Sequence, residues 1–92
     1  MVTAVVLIKA ETDKVGELAQ SIAEIKGVSE VFSVAGQHDL VAIVRVQENE
    51  QLAEVISGQL RKLPDIVATE TLIAFRVYSS RELAAGYDIG LD

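Results

Sequence analysis

Six residues in two short segments could bind a small charged molecule. A turn between two apolar segments joins a glycine to polar residues, and two threonines interrupt another apolar segment. Glycine lets the backbone approach a ligand, successive turn amides can bind a carboxylate, and an aspartate can accept from an ammonium group. Together these groups suit an α-amino acid or a similar metabolite. The candidate ligand-binding residues are Gly36, Gln37, His38, Asp39, Thr69 and Thr71.

Ordinary structural roles explain the same residues. Glycine with aspartate is common in hairpin turns, because the aspartate side chain can bond to its own backbone. Thr69 and Thr71 suit a strand, since threonine is β-branched. Turn chemistry and β-propensity alone therefore favour a structural role over a ligand site.

The sequence is poor in groups that catalyse reactions or bind metals. It has no cysteine and a single histidine, His38, which excludes thiol chemistry and makes a transition-metal site a poor prospect. The carboxylate of Asp39 is adjacent in sequence, and adjacent side chains tend to point apart. A glycine-rich phosphate loop is also missing. We expect neither an enzyme nor a metal or cofactor site.

The composition indicates one small acidic domain. The chain has 92 residues, half of them apolar, and a net charge of −6 without a basic cluster. These features argue against direct nucleic-acid binding and against an anionic membrane surface. No apolar segment is long enough to span a bilayer, and the N-terminal segment lacks a signal-peptide pattern. A chain without cysteine fits a cytoplasmic location.

Apolar periodicity predicts two strand–helix–strand units in the order β-α-β-β-α-β. This order is typical of an α+β, ferredoxin-like βαββαβ sandwich, with a four-stranded antiparallel sheet and both helices on one face. We expect a ligand-binding domain over residues 1–78 and a tail over 79–92, with a capping box at Ser79–Glu82 and a short helix at Leu83–Ala85. The predicted elements are a strand over Val2–Ile8, a helix from a cap at Thr12 or Asp13 to Gly27, strands over Val28–Ala35 and Leu40–Val46, a helix from a cap at Asn49 to Leu63, and a strand over Ile66–Tyr78.

Both faces of the predicted sheet are apolar. In the first strand Ala4 and Val6 alternate with Val5 and Leu7, whereas a sheet with one solvated face would alternate apolar and polar residues. Two helices can cover only one face, so the second face needs another cover. A second copy of the sheet is the simplest cover and predicts a homo-oligomer. The alternative cover is the short acidic tail.

The order of elements and the motifs resemble the ligand-binding (RAM) domain of Lrp/AsnC transcription regulators. The resemblance covers roughly residues 2 to 77. The matching residues are Gly27, Val28, Val31, Gly36 with Asp39, Val44, the segment Leu63–Ile66, and Thr69 with Thr71.

The resemblance implies the function of the candidate site. In the family, effector amino acids bind between dimers near the hairpin turn, which here is Gly36–Asp39, and the Thr-bearing start of the last strand borders that site. Members dimerise through their sheets and stack into tetramers, octamers or rings. The resemblance therefore implies a homo-oligomeric sensor of an amino acid that regulates transcription.

Two departures from the family pattern matter. The usual helix-turn-helix is absent, because Met1 leads directly into the first strand, so the chain resembles a stand-alone form that could act through a full-length Lrp/AsnC regulator. Secondly, Pro-Gly-Val before the last strand becomes Pro64-Asp65-Ile66, which leaves the ligand contacts of this loop open.

Two other hypotheses for the function remain. One is a small dimeric α/β-barrel enzyme, such as a monooxygenase, with His38 as base or haem ligand, and the other is an assembly partner without a ligand.

Overall fold

The computed structural model describes residues 1–78 and 80, and this part of the chain forms one antiparallel sheet with two α-helices. Two short 3-10 helices, at Thr12–Lys14 and Leu60–Lys62, join the larger elements. The α+β ferredoxin-like sandwich predicted from the sequence is confirmed. The elements are β1 (Val2–Ala10), α1 (Val15–Ala23), β2 (Val28–Ser33), β3 (Leu40–Val46), α2 (Asn49–Ile56) and β4 (Ile66–Ile73).

The strand order is β2-β3-β1-β4, so β1 and β3 are central and β2 and β4 are the edges. Ile8 of β1 lies opposite Leu40 on one side and Thr69 on the other. Residues directly opposite in an antiparallel pair point to the same face. This register therefore assigns every strand residue to a face.

The core lies between the sheet and the helices. Alternate residues of the central strands are fully buried, as are Ile22 of α1 and Leu60 of the second 3-10 helix. Each central strand therefore contributes every second residue to the core, as the period of a strand requires. The fully buried residues of the central strands are Ala4, Val6, Ile8, Leu40, Ala42 and Val44.

Among the described residues, no helix covers the other face of the sheet, and we call it the open face. Its central residues are only half-buried, and Phe32 and Leu72 at its edges are each 47% exposed. The prediction of a second, largely apolar face is thus confirmed for the centre of the sheet in the described residues. The open face carries Thr3, Val5, Leu7, Phe32, Val41, Ile43 and Leu72, and the strand registers place the charged residues Lys9, Glu30, Arg45 and Glu70 around them on the same face.

Two strands are shorter than predicted. β2 ends at Ser33 rather than Ala35, because the Val34 N–H turns to the Asp39 carbonyl oxygen and closes the loop. β4 ends at Ile73 rather than Tyr78. Its last bond to β1 runs from the Ala74 N–H to the Thr3 carbonyl oxygen, and residues 75–78 lie outside the strand.

The helix ends also differ from the prediction. Thr12 and Asp13 form a 3-10 turn instead of a cap, and α1 begins at Val15. Likewise α2 is capped at Glu48 and not at Asn49. The Gln51 side chain accepts from the N–H groups of Gln47 and Glu48, both at 2.9 Å. This bonding satisfies backbone donors that a helix start would otherwise leave free.

The second helix was predicted to reach Leu63 but ends at Ile56. The Gly58 N–H bonds to the Ala53 carbonyl oxygen, one residue further back than in an α-helix. A Cβ at Gly58 would lie 2.5 Å from the Glu54 carbonyl oxygen, so only glycine fits this break.

The tail predictions fall beyond most of the described chain. Apart from Ser80, the capping box Ser79–Glu82 and the helix Leu83–Ala85 lie outside the described residues. Within the described part, the helices are too short or too polar to cross a membrane.

Candidate ligand-binding site

A cleft of about 470 Å³ opens between α2 and β4. It exists because α2 packs mainly against β3 and β1, which leaves the helix-side residues of the edge strand β4 uncovered. The β4 wall carries hydroxyl groups, whereas the α2 wall is largely apolar. The lining residues are Asn49, Leu52, Ala53, Ile56, Ser57, Arg61, Thr69, Thr71 and Ile73.

Thr69 and Thr71 both line this cleft, as neighbours on one face of β4. Thr69 is half-buried beside Ile8, while Thr71 is exposed opposite Val6. Their hydroxyls can each donate and accept a hydrogen bond. The predicted threonine pair therefore faces a concave surface rather than flat solvent.

Arg61 also lines the cleft and was missed by reasoning from the sequence. It lies in the 3-10 helix Leu60–Lys62, directly after the buried Leu60. We expected a continuous helix to Leu63, and the sequence of such a helix does not indicate that Arg61 lies beside β4. The break at Gly58 is the signal that could have found it.

The predicted turn Gly36–Asp39 has a mainly structural set of bonds. The Asp39 N–H donates to the Ile8 carbonyl oxygen at 2.8 Å. The carboxylate of Asp39 accepts from the Ala10 N–H, with 2.8 Å between the nitrogen and Oδ2. Asp39 thus links the start of β3 to the end of β1, and its second oxygen, Oδ1, accepts no hydrogen bond from the described residues.

The other turn residues are less constrained. Gly36 has φ of +138°, in the region that favours glycine, and a Cβ there would meet nothing within 4 Å. Gln37 is exposed and His38 is half-buried. The positive φ of Gly36 explains why a glycine occupies this position. The side chain of Gln37 is exposed and accessible to another molecule.

The two groups of predicted site residues lie at the same end of the sheet but do not share a cavity. Leu40, Ile8 and Thr69 stand abreast on three adjacent strands, so the turn and the threonines are about 10 Å apart, two strand spacings. None of Gly36–Asp39 lines the cleft. A single protomer therefore keeps the two groups of predicted residues apart.

The described residues contain no group of three or more side chains that could hold a metal ion. Within this part of the chain, the cleft offers hydroxyl, amide and guanidinium groups and an apolar floor. Such a set can bind and orient a small molecule.

Comparison with known families decides where the chain belongs. The profile of the Lrp/AsnC ligand binding domain matches residues 3–83, which is most of the sequence. The chain belongs to the Lrp/AsnC ligand-binding domain family. Its relatives include an uncharacterized HTH-type transcriptional regulator of Pyrococcus horikoshii, 36% identical over 76 residues, 79% of this chain and 51% of the relative. This Lrp/AsnC domain thus spans about half the length of the curated relatives it matches.

Solved structures agree with this assignment. A protein from Thermus thermophilus is 44% identical, with a TM-score of 0.81 over 86% of this chain and 99% of that chain. A feast or famine regulatory protein from M. tuberculosis, in complex with L-methionine, is 24% identical, with a TM-score of 0.72 over 88% of this chain and 55% of that one. The second likeness shows the shared fold alone.

The departure at Asp65 has a structural explanation in this Lrp/AsnC domain. Asp65 has φ of +76°, a left-handed conformation that glycine adopts freely and that aspartate tolerates better than most residues. Its carbonyl oxygen accepts from the Glu11 N–H at 2.9 Å. Asp65 therefore keeps the turn into β4 that a glycine would make, and it is not among the residues that line the cleft.

Proposed function

We propose that this chain is an effector-sensing domain, which binds an amino acid or similar small metabolite between subunits and modulates transcription through partner regulators. The α2–β4 cleft is the observation that carries the proposal. Its volume of about 470 Å³ is in the range of small-molecule sites, which combine an apolar lining with a few placed polar groups.

The open face supports assembly of the subunits. It presents Val5, Leu7, Val41 and Ile43 side by side on the two central strands, and a contiguous apolar surface of this kind is typical of an interface. Two sheets packed face to face would bury it in both copies. We propose a homodimer of this kind as the basic unit, which can stack further into tetramers, octamers or rings.

Stacked dimers would complete the ligand site. The cleft is open to solvent, and the exposed residues of the Gly36–Asp39 turn can reach only a site outside their own protomer's cleft. In the proposed assembly, the turn of a neighbouring protomer closes the cleft and adds backbone amides and the Asp39 Oδ1 atom to Thr69 and Thr71. Gly36, Gln37 and His38 would contact the ligand from the same turn.

The role in transcription rests on the family. The curated relatives are HTH-type transcriptional regulators about twice the length of the matched region. We propose that this chain forms mixed oligomers with such a full-length regulator through the same interfaces. Native mass spectrometry of this chain with a full-length Lrp/AsnC regulator of its own organism should reveal mixed species, whereas homomers alone would argue against the proposal.

Thermal unfolding with a panel of the 20 standard L-amino acids tests ligand binding. Methionine is a pertinent probe, since two solved structures of this fold are L-methionine complexes. We expect at least one amino acid to raise the melting temperature, because a ligand that binds only the folded state stabilises it. The paired variants Thr69→Val and Thr71→Val should each weaken binding by about 2- to 10-fold, the loss of one neutral hydrogen bond.

Thr12→Val is the matched control, since Thr12 is exposed in the first 3-10 helix and away from the cleft. It should leave the affinity unchanged. A complete panel without any shift in melting temperature would count against effector sensing and favour an assembly partner without a ligand.

A further inference from the structure

We infer that the cleft recognises a small apolar carboxylate through Arg61 and does not require an ammonium group, so 2-oxo acids bind it as well as the matching α-amino acids. This inference rests on the proposed function, because it takes the α2–β4 cleft as the effector site. It adds the chemical class of the effector and a binding residue that the sequence motifs do not include.

The charge of the cleft is the first observation. Arg61 is the charged side chain among the described residues that line it, and no described carboxylate does so. A guanidinium group presents paired N–H donors that match the two oxygens of a carboxylate. The cleft wall is therefore complementary to an anion and repels a cation.

Hydroxyl groups extend this complementarity. Thr69 and Thr71 stand on the β4 wall and Ser57 on the side of α2, all lining the same cleft as Arg61. A hydroxyl can donate to a carboxylate or to a carbonyl oxygen. These hydroxyls can thus donate to the 2-oxo group of a 2-oxo acid. To the ammonium group of an amino acid they offer only neutral acceptor oxygens.

The only anionic group proposed for the site lies elsewhere. Asp39 is not among the lining residues, and its Oδ2 already accepts from the Ala10 N–H. An ammonium group entering the cleft would lose water and gain neutral acceptors and, as its only anionic partner, Oδ1 of a neighbouring protomer's Asp39. Transfer of a charged group without a full partner is unfavourable, so the ammonium contributes little to affinity.

The apolar floor of the cleft determines which kind of side chain the ligand carries. Leu52 and Ile56 of α2 and Ile73 of β4 are apolar; the two α2 residues are buried, whereas Ile73 is 53% exposed. Covering Ile73 with an apolar group is favourable. A carboxylate with an aliphatic or thioether chain fits this arrangement.

Two matched sets of probes test the inference by isothermal titration calorimetry of the full chain. The first is L-leucine, 4-methyl-2-oxopentanoate and 3-methylbutylamine, and the second is L-methionine, 4-methylthio-2-oxobutanoate and 3-methylthiopropylamine. Within a set, the members share the apolar chain and differ in their charged groups. We expect at least one set in which the amino acid and the 2-oxo acid bind within about tenfold of each other, while the amine is weaker by at least about tenfold, the loss of a charge-assisted hydrogen bond.

Arg61→Gln should weaken both carboxylates by about 10- to 100-fold, and Arg61→Lys should restore part of the affinity. Lys62→Gln is the matched control: it removes the same charge from the next residue, which is exposed and does not line the cleft. It should change the affinity less than about twofold, and unchanged melting temperatures without ligand would show that all variants fold.

The outcomes separate this inference from the proposed function. Binding of the amino acids without the 2-oxo acids, or equal binding of the amines, would overturn the inference and leave amino-acid sensing intact. Binding of the 2-oxo acids alone would overturn the inferred equal binding of the two classes and would also contradict an amino-acid effector. If none of the carboxylates binds, the inference is wrong, and the panel of 20 amino acids then decides on effector sensing separately.

Discussion

Asp39 is bound to strand β1 through both its backbone and its side chain. Its N–H donates to the Ile8 carbonyl oxygen, and its Oδ2 accepts from the Ala10 N–H, each at 2.8 Å. Because the Ala10 N–H is partly buried, the loss of its acceptor leaves a donor without a partner. Asp39 therefore contributes to stability whether or not it contacts a ligand.

Removal of this carboxylate should destabilise the protein. We expect Asp39→Ala to lower the free energy of unfolding by about 1–3 kcal/mol, the cost of an unsatisfied donor. Asp39→Asn keeps an oxygen acceptor and should lose less than about 1 kcal/mol. Urea denaturation measures both, with Asp13→Ala at an exposed position as the control, expected within about 0.5 kcal/mol of the unchanged protein. Equal stability of Asp39→Ala and the control would refute the structural role.

The same pair of variants separates the structural role of Asp39 from a role in ligand binding. A loss of binding in Asp39→Ala could follow from a displaced turn, whereas Asp39→Asn keeps the turn and removes the charge. Asp39→Asn is therefore the informative variant for a role in ammonium binding.

At the scale of residues, the types and spacing of amino acids predict the threonine pair and the turn as candidate site residues, but not Arg61. Thr69 and Thr71 are conspicuous since they are polar residues in an apolar strand. Arg61 resembles any other charged residue on a helix, and only the three-dimensional path of the chain after Gly58 brings it to the cleft. A sequence pattern reveals a residue whose type is unusual for its position, and the type of Arg61 is ordinary for a helix surface.

At the scale of elements, periodicity predicts all four strands and both helices in their order, and the errors lie at the ends. The helical spacing of Leu52, Val55, Ile56 and Leu60 is real, since all four are buried, yet the α-helix stops at Ile56. A 3-10 turn can keep a buried residue close to its helical position. The end of β4 depends instead on how far its pairing with β1 continues, which no local pattern contains.

The segment after α2 should therefore behave as part of the core. Leu60 is fully buried, so we expect Leu60→Ala to lower the free energy of unfolding by about 2–5 kcal/mol, as for other buried leucines. Lys62→Ala, exposed in the same 3-10 helix, should change it by less than about 0.5 kcal/mol. Chemical denaturation of the two variants gives the comparison, and similar small effects would mean that the segment is not packed as described.

At the scale of the whole molecule, the open face is the feature that a single protomer leaves unexplained. Sequence alternation predicts it, because β1 and β3 carry apolar residues at successive positions. The sheet buries one set of these residues beneath the helices and leaves the other set, centred on Val5 and Ile43, without a cover among the described elements. A second copy would remove this surface from water, and the proposed intersubunit sites depend on that assembly.

Sedimentation velocity at micromolar concentration tests this dependence most directly. We expect a species of at least twice the 9.9 kDa mass of the chain. Ile43→Lys should shift it toward the monomer, because a charge at the centre of an apolar interface is costly to bury. Ala23→Lys adds the same charge at an exposed position of α1 and should leave the assembly unchanged. A single, well-folded 9.9 kDa species of the unchanged protein would contradict the account, since the clefts could not then be completed by a neighbouring subunit.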